Sequence, residues 1–287
     1  MTVDVTAAER FLLTSARLLD LHRAAVLLHD APVAPVLTAL AAYRNPDGGY
    51  GHALEPDARG PLSETTAAMH ALEVLEEVGA LHDPLADVAD WFAGVACADG
   101  GVPFVLPSAT AYPLAPWMAP GGASHVTFGV AGLLTAAGVR NAWLDRATDW
   151  CWRELGKPDD LGGYTVKFAL NFLDRTPDAD RVTEVIETLR PLLRPDGSLP
   201  VAGGNADEHL TALTLSPQPH SRSRALFTDD QIAACLDELE ASQDTDGGWH
   251  FDWAAWAPGQ ATEWRGLITL RALLALHANG RLPSAAG

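Results

Sequence analysis

Apolar residues recur at helical spacing along most of the chain, and no long stretch alternates with the period of two that is typical of strands. Pro and Gly residues stand between the apolar runs and mark their ends. The pattern predicts an all-α fold of about ten to twelve helices, paired into about five or six hairpins. The clearest predicted helices are Arg10–His29, Pro35–Tyr43, Glu64–Val78, Val126–Ala137, Asn141–Leu155, Val166–Leu173, Arg181–Leu193, Ile232–Ser242 and Thr262–His277.

Glycine-rich turns follow the amphipathic runs and reveal an internal repeat. They are Asn45–Gly51, Ala98–Phe104, Asp159–Thr165, Arg194–Pro200 and Gln243–Trp249. Two units align without a gap, so that Asp47-Gly48-Gly49-Tyr50 matches Asp246-Gly247-Gly248-Trp249 and Glu64 matches Glu263. A helix hairpin cannot bury both of its faces alone, whereas hairpins stacked side by side can. The repeat therefore predicts an α/α toroid that forms a single domain over residues 1–287, with the more apolar second helices on the inside.

Charge and composition narrow the classes of partner. The formal net charge is −18, which disfavours nucleic acid and anionic lipid surfaces. No apolar run approaches the roughly 18 residues that span a membrane, and the N-terminus lacks a basic start followed by an apolar run. We therefore expect a cytoplasmic protein without stable membrane insertion. The three widely spaced cysteines predict no disulfide framework, and the sequence leaves the oligomeric state open.

One motif carries a family resemblance. The segment Gln243–Trp249 resembles the Q-x3-G-x-W repeat of squalene–hopene-type triterpene cyclases, and residues 261–273 resemble the inner helix that follows this repeat. The chain is thus similar to the terpenoid-cyclase and prenyltransferase repeat superfamily. The resemblance implies an α/α toroid, a small apolar or isoprenoid substrate in a central cavity, no cofactor, and a structural role for Gln243 and Trp249.

The chain also departs from that superfamily. It has no D-x-D-D motif, from which type II cyclases take their acid, and the matching helix start places Glu64 at the position of the acid. It has no DDxxD-type magnesium motif either. Protein prenyltransferases hold zinc with a D-x-C pair and a later His, which Asp149, Cys151 and His209 match. We expect no metal, with this zinc site as the open alternative.

In a toroid, the first turns of the inner helices converge at one mouth, and ionisable residues lie at these predicted positions. Carboxylates beside His in an apolar ring have shifted pKa values, which acid–base catalysis uses. The alternative is capping and compensation of the helix dipole. The candidates are Glu64, His125, Lys167, Glu208 with His209, and Glu263 with Trp264.

The crossover of residues 51–60 is a second candidate. It contains His52, Glu55 and Asp57, and could present either carboxylate as an acid or a base. The alternative is a salt-bridged surface turn.

Basic and aromatic residues supply the remaining candidates for substrate binding. Arg222 and Arg224 could grip a phosphate or carboxylate, or pair with acidic neighbours. Aromatic faces stabilise carbocations, although aromatic residues near turns also serve for packing. The aromatic candidates are Tyr50, Trp117, Trp253 and Trp264.

Three functions remain open, and whether the chain is an enzyme is one of the open points. The first is a terpenoid-cyclase-like enzyme with an acid from the group Glu55, Asp57 and Glu64. The second is a lyase or hydrolase that uses Glu208 with His209, Glu263 and His125. The third is a non-catalytic protein that binds a hydrophobic ligand or a peptide.

Overall fold

A computed structural model describes residues 3–82, 85–202 and 208–282. The regular structure in these ranges is almost entirely helical, so the predicted all-α fold is confirmed. The helices are α1 (Val5–Ser15), α2 (Leu18–His29), α3 (Ala34–Ala41), α4 (Thr65–Glu77), α5 (Leu85–Val95), α6 (Val126–Ala136), α7 (Ala142–Leu155), α8 (Gly163–Arg175), α9 (Ala179–Leu189), α10 (Ala212–Leu215), α11 (Asp229–Ala241) and α12 (Pro258–Ala278). Two-residue strands β1 (Leu199–Pro200) and β2 (His209–Leu210) pair antiparallel. None of the helices in these ranges is long and apolar enough to cross a bilayer.

One predicted helix was wrong in extent, and one helix was missed. The run Arg10–His29 forms two helices, because Ala16 and Arg17 are extended, at ψ 157° and 150°. The apolar spacing continues through this break, so periodicity alone could not locate it. Helix α5 was not among the predicted helices, although its buried residues recur at helical spacing.

One of the five predicted glycine turns was also wrong. Residues 158–160 form a short 3₁₀ turn, and α8 begins at Gly163, three residues before the predicted start. Gly162 precedes the helix in an extended conformation, at φ −76°. This pair of glycines therefore starts a helix and does not form a left-handed turn.

The other four glycine turns share one geometry. In the first, Asn45 N–H donates to Gly49 O at 2.9 Å and Gly48 N–H donates to Asn45 O at 3.1 Å. The Asp47 carboxylate accepts the Gly49 N–H at 3.0 Å, and Gly48 has φ +91°. Equivalent bonds and a positive-φ glycine recur in the turns 97–101, 194–198 and 244–248. The repeat inferred from the sequence is therefore a repeat of backbone geometry.

Each of these turns packs on a helix of another hairpin. The positive-φ glycine lies so close to that helix that a Cβ atom would meet it. A Cβ at Gly48 would lie 2.9 Å from Asp87 O, and one at Gly100 would lie 2.7 Å from Arg146 O. The four contacts join Gly48 to α5, Gly100 to α7, Gly197 to α11 and Gly247 to α1. At Gly48, Gly100 and Gly247 glycine is thus required both for the backbone conformation and for the close approach. At Gly197 the positive φ is the main reason, because a Cβ there would lie 3.2 Å from the nearest atom, Gln231 Cδ.

The described residues fall into two compact units. Unit 1, residues 1–39 and 193–287, brings the first and last parts of the chain together, because α1 packs against α12. The side-chain amide of Gln243 bonds to both backbone groups of Asp4, at 2.8 and 2.9 Å. Trp249 N–H donates to Thr269 Oγ1 at 3.0 Å within the buried core. That one domain extends over residues 1–287 stays a prediction.

Unit 2, residues 40–192, is built around α6. Helices α4, α7 and α8 pack against it. Ten of the 13 residues of α4 and nine of the 11 of α6 are buried, which makes these two the core helices of the unit. A Cβ at Gly129 of α6 would lie 2.6 Å from Met69 Sδ and 3.2 Å from the Phe168 ring. Gly129 therefore permits the close packing of α4 and α8 on α6.

Substitution of Gly100 by Ala should lower the free energy of unfolding by about 3 kcal/mol, from the strained φ and the clash with α7. Gly138 is the matched control, because its φ is +73° and a Cβ there meets nothing within 4 Å. Gly138→Ala should cost only about 1–2 kcal/mol, since the φ strain alone acts. Urea denaturation of both variants measures the difference, and equal losses would contradict the packing role of Gly100.

Candidate functional site

Glu64 is a buried carboxyl group at the N-terminal end of α4. The residue is 3% exposed and directly precedes the helix. Its Oε2 accepts the Leu106 N–H at 3.0 Å. Its Oε1 is buried as well and has no hydrogen-bond partner among the described residues. One carboxyl oxygen is therefore fixed by the backbone, and the other is left for a proton or for a ligand.

Burial raises the pKa of Glu64 to about 7, although the hydrogen bond from Leu106 acts in the opposite direction. Desolvation disfavours the charged carboxylate, and a single neutral N–H donor compensates for only part of this cost. Near pH 7 a large fraction of Glu64 is therefore protonated. A carboxylic acid that keeps its proton at this pH is a candidate proton donor.

The first glycine turn holds the backbone of Glu64. Its N–H donates to Tyr50 O at 2.8 Å. The preceding residue, Ser63, donates through its hydroxyl to Asp47 Oδ1 at 2.7 Å. The other oxygen of Asp47 accepts the indole N–H of Trp91 in α5 at 3.2 Å. The turn therefore links α5 to the start of α4.

A short irregular segment, residues 102–106, holds the carboxyl group. Val102 N–H donates to Thr127 Oγ1 of α6 at 2.9 Å. The hydroxyl of Thr65 is shared between Pro103 O at 2.7 Å and Phe104 O at 2.9 Å. These bonds attach the segment to both core helices, and the segment in turn presents the Leu106 N–H to Glu64.

His125, which directly precedes α6, contacts two aromatic rings. Its ring centroid is 5.0 Å from that of Phe104 and 5.1 Å from that of Phe168, with Phe168 nearly parallel at 22°. Burial and the charge of Lys167 lower the pKa of His125 to about 4. The imidazole is therefore neutral at pH 7 and can accept a proton. The Lys167 ammonium lies 5.5 Å from the centroid of the Phe168 ring.

Segment 102–106 thus connects an acid to a base. Leu106 contacts Glu64, and the Phe104 ring contacts His125. Their pKa values, about 7 for Glu64 and about 4 for His125, are reversed relative to those of the free side chains. A pair of groups displaced in this way is typical of acid–base sites.

The candidates in the 51–60 crossover have different environments. His52 is exposed, has φ +56° and bonds through Nε2 to Asn45 Oδ1 at 3.0 Å. Asp57 is 6% exposed, its N–H donates to Glu55 Oε1 at 3.4 Å, and its O accepts the Ala115 N–H at 2.9 Å. Hydrogen bonds with the backbone of residues 113–115 hold the crossover in place.

The two aromatic candidates of unit 2 differ in exposure. Tyr50 is 3% exposed and acts at the site through its carbonyl oxygen. Trp117 is 42% exposed. The acid or base roles of Glu55 and Asp57, and the substrate-binding roles of His52, Tyr50, Trp117 and Lys167, stay predictions.

Two helix-start predictions in unit 1 were wrong. Glu208 and His209 do not begin an inner helix: His209 lies in β2, and Thr211 caps the four-residue helix α10. Helix α12 begins at Pro258, so Glu263 and Trp264 lie in its second turn. Lys167 of unit 2 is likewise one turn further along α8 than predicted, because that helix begins at Gly163. In each case the pattern of apolar residues did not locate the first turn of the helix.

The other candidates of unit 1 form local contacts. Arg222 is exposed and Arg224 is half-buried in a 3₁₀ turn, where Arg224 Nη2 lies 3.4 Å from Asn279 Oδ1. The rings of Trp253 and Trp264 meet edge to face, with centroids 4.9 Å apart. Substrate binding by these four residues stays a prediction.

The zinc alternative finds no support. Among the described residues, no group of three His, Cys, Asp or Glu side chains is placed to hold a metal ion. Cys151 is fully buried in α7, whereas Asp149 lies on the surface in a cleft of about 330 Å³ with Trp152, Arg153 and Arg181.

A larger surface cleft of about 840 Å³ is lined by Arg44, Asp47, Asp87 and Trp91, among others. Glu64 lines neither cleft.

Sequence reasoning missed four residues of this site. Leu106 acts through its backbone N–H, which leaves no signature in the sequence. Thr65 reads as an ordinary first residue of a helix. Phe104 and Phe168 carry the same signal as the predicted cavity aromatics, namely an aromatic ring, although only Trp and Tyr residues were predicted there.

Comparisons with known proteins agree with this architecture. No model of a protein family and no curated protein matches the chain. Solved structures do match it over most of its length. One is a crystal structure of a protein from Actinoplanes, at 18% identity and a TM-score of 0.60, which covers 96% of this chain and 98% of that one.

The type II terpene cyclase MstE from Scytonema is also similar. Its apo structure, at 15% identity and a TM-score of 0.57, covers 97% of this chain and 98% of that one. A variant in complex with geranylgeranyl dihydroxybenzoate as the substrate, also at 15% identity, has a TM-score of 0.58 and covers 97% of both chains. The chain has a terpene-cyclase-like fold. At these identities the likeness extends to the fold alone.

Replacement of Glu64 by Gln should change how stability depends on pH. The folded-state pKa, about 7, lies above the ordinary value of 4.5, so the folded protein holds this proton more tightly than the unfolded chain does. That stabilisation is complete below pH 4.5 and is lost as the pH rises through about 7. Relative to Glu64→Gln, the unsubstituted protein should lose about 3 kcal/mol of unfolding free energy between pH 4.5 and 8.

Urea denaturation across this pH range measures the difference. Glu184→Gln on α9 is the control, because Glu184 is exposed and its substitution should leave the pH dependence unchanged. Parallel pH curves for the unsubstituted protein and Glu64→Gln would contradict a raised pKa of Glu64.

Proposed function

We propose that this protein is a terpene-cyclase-like enzyme, which binds an apolar or isoprenoid substrate and cyclises it by protonation with Glu64 as the acid. The observation that carries the proposal is the carboxyl group of Glu64. It is buried at the start of a core helix, its pKa is about 7, and its Oε1 has no hydrogen-bond partner among the described residues. An acid that is both protonated and free on one oxygen can deliver its proton to a substrate.

In the proposed reaction, the Oε1–H bond of Glu64 breaks and its proton bonds to an alkene carbon or an epoxide oxygen. The electron pair of that O–H bond stays on the carboxylate, which the Leu106 N–H stabilises. The π bonds of the substrate then close onto the cation. Neutral His125 accepts the proton that the final cation loses, so one proton enters and one leaves. The reaction as written needs no cofactor.

The surroundings of the acid suit a cationic intermediate. The rings of Phe104 and Phe168 both contact the His125 ring, with centroids 5.0 and 5.1 Å away, and offer electron-rich faces. The buried faces of α4 and α6 contribute apolar side chains, including Met69 and Phe128. In the proposed complex, these side chains and the bound substrate would keep water away from a carbocation, which water would otherwise trap.

The substrate class rests on the comparisons as well as on the site. The similar cyclase MstE is described with geranylgeranyl dihydroxybenzoate as its substrate. We therefore propose an isoprenoid-bearing substrate for this protein as well. Gln243 and Trp249 would correspond to the structural repeat of such cyclases, which fits their bonds to Asp4 and Thr269.

The direct test is incubation of the purified protein with squalene, farnesyl and geranylgeranyl diphosphates and a geranylgeranyl-substituted dihydroxybenzoate. Products are analysed by mass and retention time. The native protein should yield an isomer of one substrate, and Glu64→Gln should lower the rate at least about 100-fold. The rate should fall about tenfold per pH unit above pH 7, where Glu64 loses its proton, and should fall below about pH 4, where His125 gains one.

Two further variants separate the possible outcomes. Glu184→Gln should retain full activity, which excludes a general effect of charge. Glu263→Gln tests the acid of the aligned repeat, and loss of activity there but not in Glu64→Gln would assign the acid to unit 1. Absence of turnover with every substrate, in a protein folded by circular dichroism, would favour the two alternatives: a lyase or hydrolase of another substrate class, or a protein that binds a hydrophobic ligand or a peptide.

A further inference from the structure

Thr65 makes the connection between the acid-bearing helix and the segment that bonds to the acid. The residue is fully buried, and its hydroxyl lies 2.7 Å from Pro103 O and 2.9 Å from Phe104 O. A buried carbonyl oxygen without a donor is costly, so this hydroxyl fixes the position of both peptide groups. Two residues further on, the Leu106 N–H points at Glu64 Oε2.

The same segment is anchored independently on its other side. Thr127 of α6 accepts the Val102 N–H at 2.9 Å, and Ser124 N–H donates to Val102 O at 2.8 Å. The segment is therefore fixed at Val102 by α6 and at Pro103 and Phe104 by α4. Only the α4 anchor lies next to Glu64 in the sequence, so it connects the segment directly to the backbone of the acid.

We propose that Thr65 is a positioning residue, which holds residues 103–106 so that the Leu106 N–H occupies one oxygen of Glu64 and leaves the other to the substrate. This inference rests on the proposed role of Glu64 as proton donor. A carboxyl group held by one N–H on Oε2 carries its proton on Oε1, so the position of the segment decides which oxygen delivers the proton. Thr65 acts through the segment and does not itself touch the substrate.

The test compares Thr65→Val, which removes the hydroxyl and keeps the shape, with Thr65→Ser, which keeps the hydroxyl. Infrared difference spectra against Glu64→Gln report the protonation of Glu64 directly. In Thr65→Val the Leu106 N–H no longer holds the carboxylate, so the pKa of Glu64 should rise by about one pH unit. Thr65→Ser should restore the native midpoint.

The control variant is Thr127→Val, which removes a buried threonine hydroxyl from the opposite anchor of the same segment. It should lower stability as Thr65→Val does, and leave the midpoint of Glu64 unchanged. Other titratable groups lie on the neighbouring elements. They include His70, Glu73, Glu76 and Glu77 on α4 itself, His125 beside α6, and Tyr164, Lys167, Asp174 and Arg175 on α8. All of them are retained in every variant, so their contribution cancels.

A purely structural Thr65 would give equal stability losses in the two valine variants and no change in the midpoint of Glu64, and that result overturns the inference. If Thr65→Val does not fold, two other measurements still test the inference. Thr65→Ala removes the same hydroxyl without added bulk. In the unsubstituted protein, the Leu106 amide proton should titrate with the midpoint of Glu64 in NMR spectra, and a Leu106 resonance that does not titrate also overturns the inference.

The experiment separates this inference from the proposed function, because the midpoint of Glu64 is read without turnover. A changed midpoint in a protein that cyclises nothing supports the role of Thr65 and rejects the cyclase. Where turnover is found, Thr65→Val should lower kcat at least tenfold with little change in KM, and Thr65→Ser should recover it. An unchanged kcat in Thr65→Val would reject the positioning role while the cyclase remains.

Discussion

The hydrogen bonds of the Asp47 carboxylate hold together the parts on which the site depends. One oxygen closes the glycine turn through the Gly49 N–H and accepts the Ser63 hydroxyl just before α4, while the other accepts the Trp91 N–H from α5. A charged acceptor forms stronger bonds than a neutral one. The position of Glu64, one residue after Ser63, follows from this arrangement. The core helix therefore starts where the turn and its neighbouring helix place it.

The buried carboxyl group of Glu64 is a local conflict in an otherwise consistent fold. Glu64 is 3% exposed, and a single N–H bonds to its carboxyl group. Ionisation of this group therefore lowers the stability of the folded protein. A well-packed apolar side chain would remove this cost. Conflicts of this kind are expected at functional sites, where chemistry and stability make opposing demands. The pKa of His125 is shifted in the opposite direction, because burial and the charge of Lys167 favour the neutral imidazole.

The aligned repeat in unit 1 uses the same turn for a different purpose. Asp246 closes its turn through the Gly248 N–H, as Asp47 does through Gly49. However, Asp246 also pairs with Arg265 at 2.8 Å, and the hydrogen bond from Arg265 lowers the pKa of Asp246. Arg265 occupies the position that Thr66 holds in the first repeat. The two turns thus share their backbone geometry and differ in the charges around the Asp carboxylate. Glu263, which aligns with Glu64, is only half-buried.

The sequence by itself determined the helical class, most helix positions, the four glycine turns and Glu64 as a candidate acid. These features depend on short-range physics, namely helical periodicity and the positive φ that glycine supplies at 48, 100, 197 and 247. Only the tertiary structure decided the surroundings of Glu64. Its N–H donor lies 42 residues away, at Leu106, and belongs to the backbone, so no residue type marks it. The two rings that contact His125 likewise come from distant segments, at Phe104 and Phe168, and the pattern of apolar residues along the chain does not encode that contact.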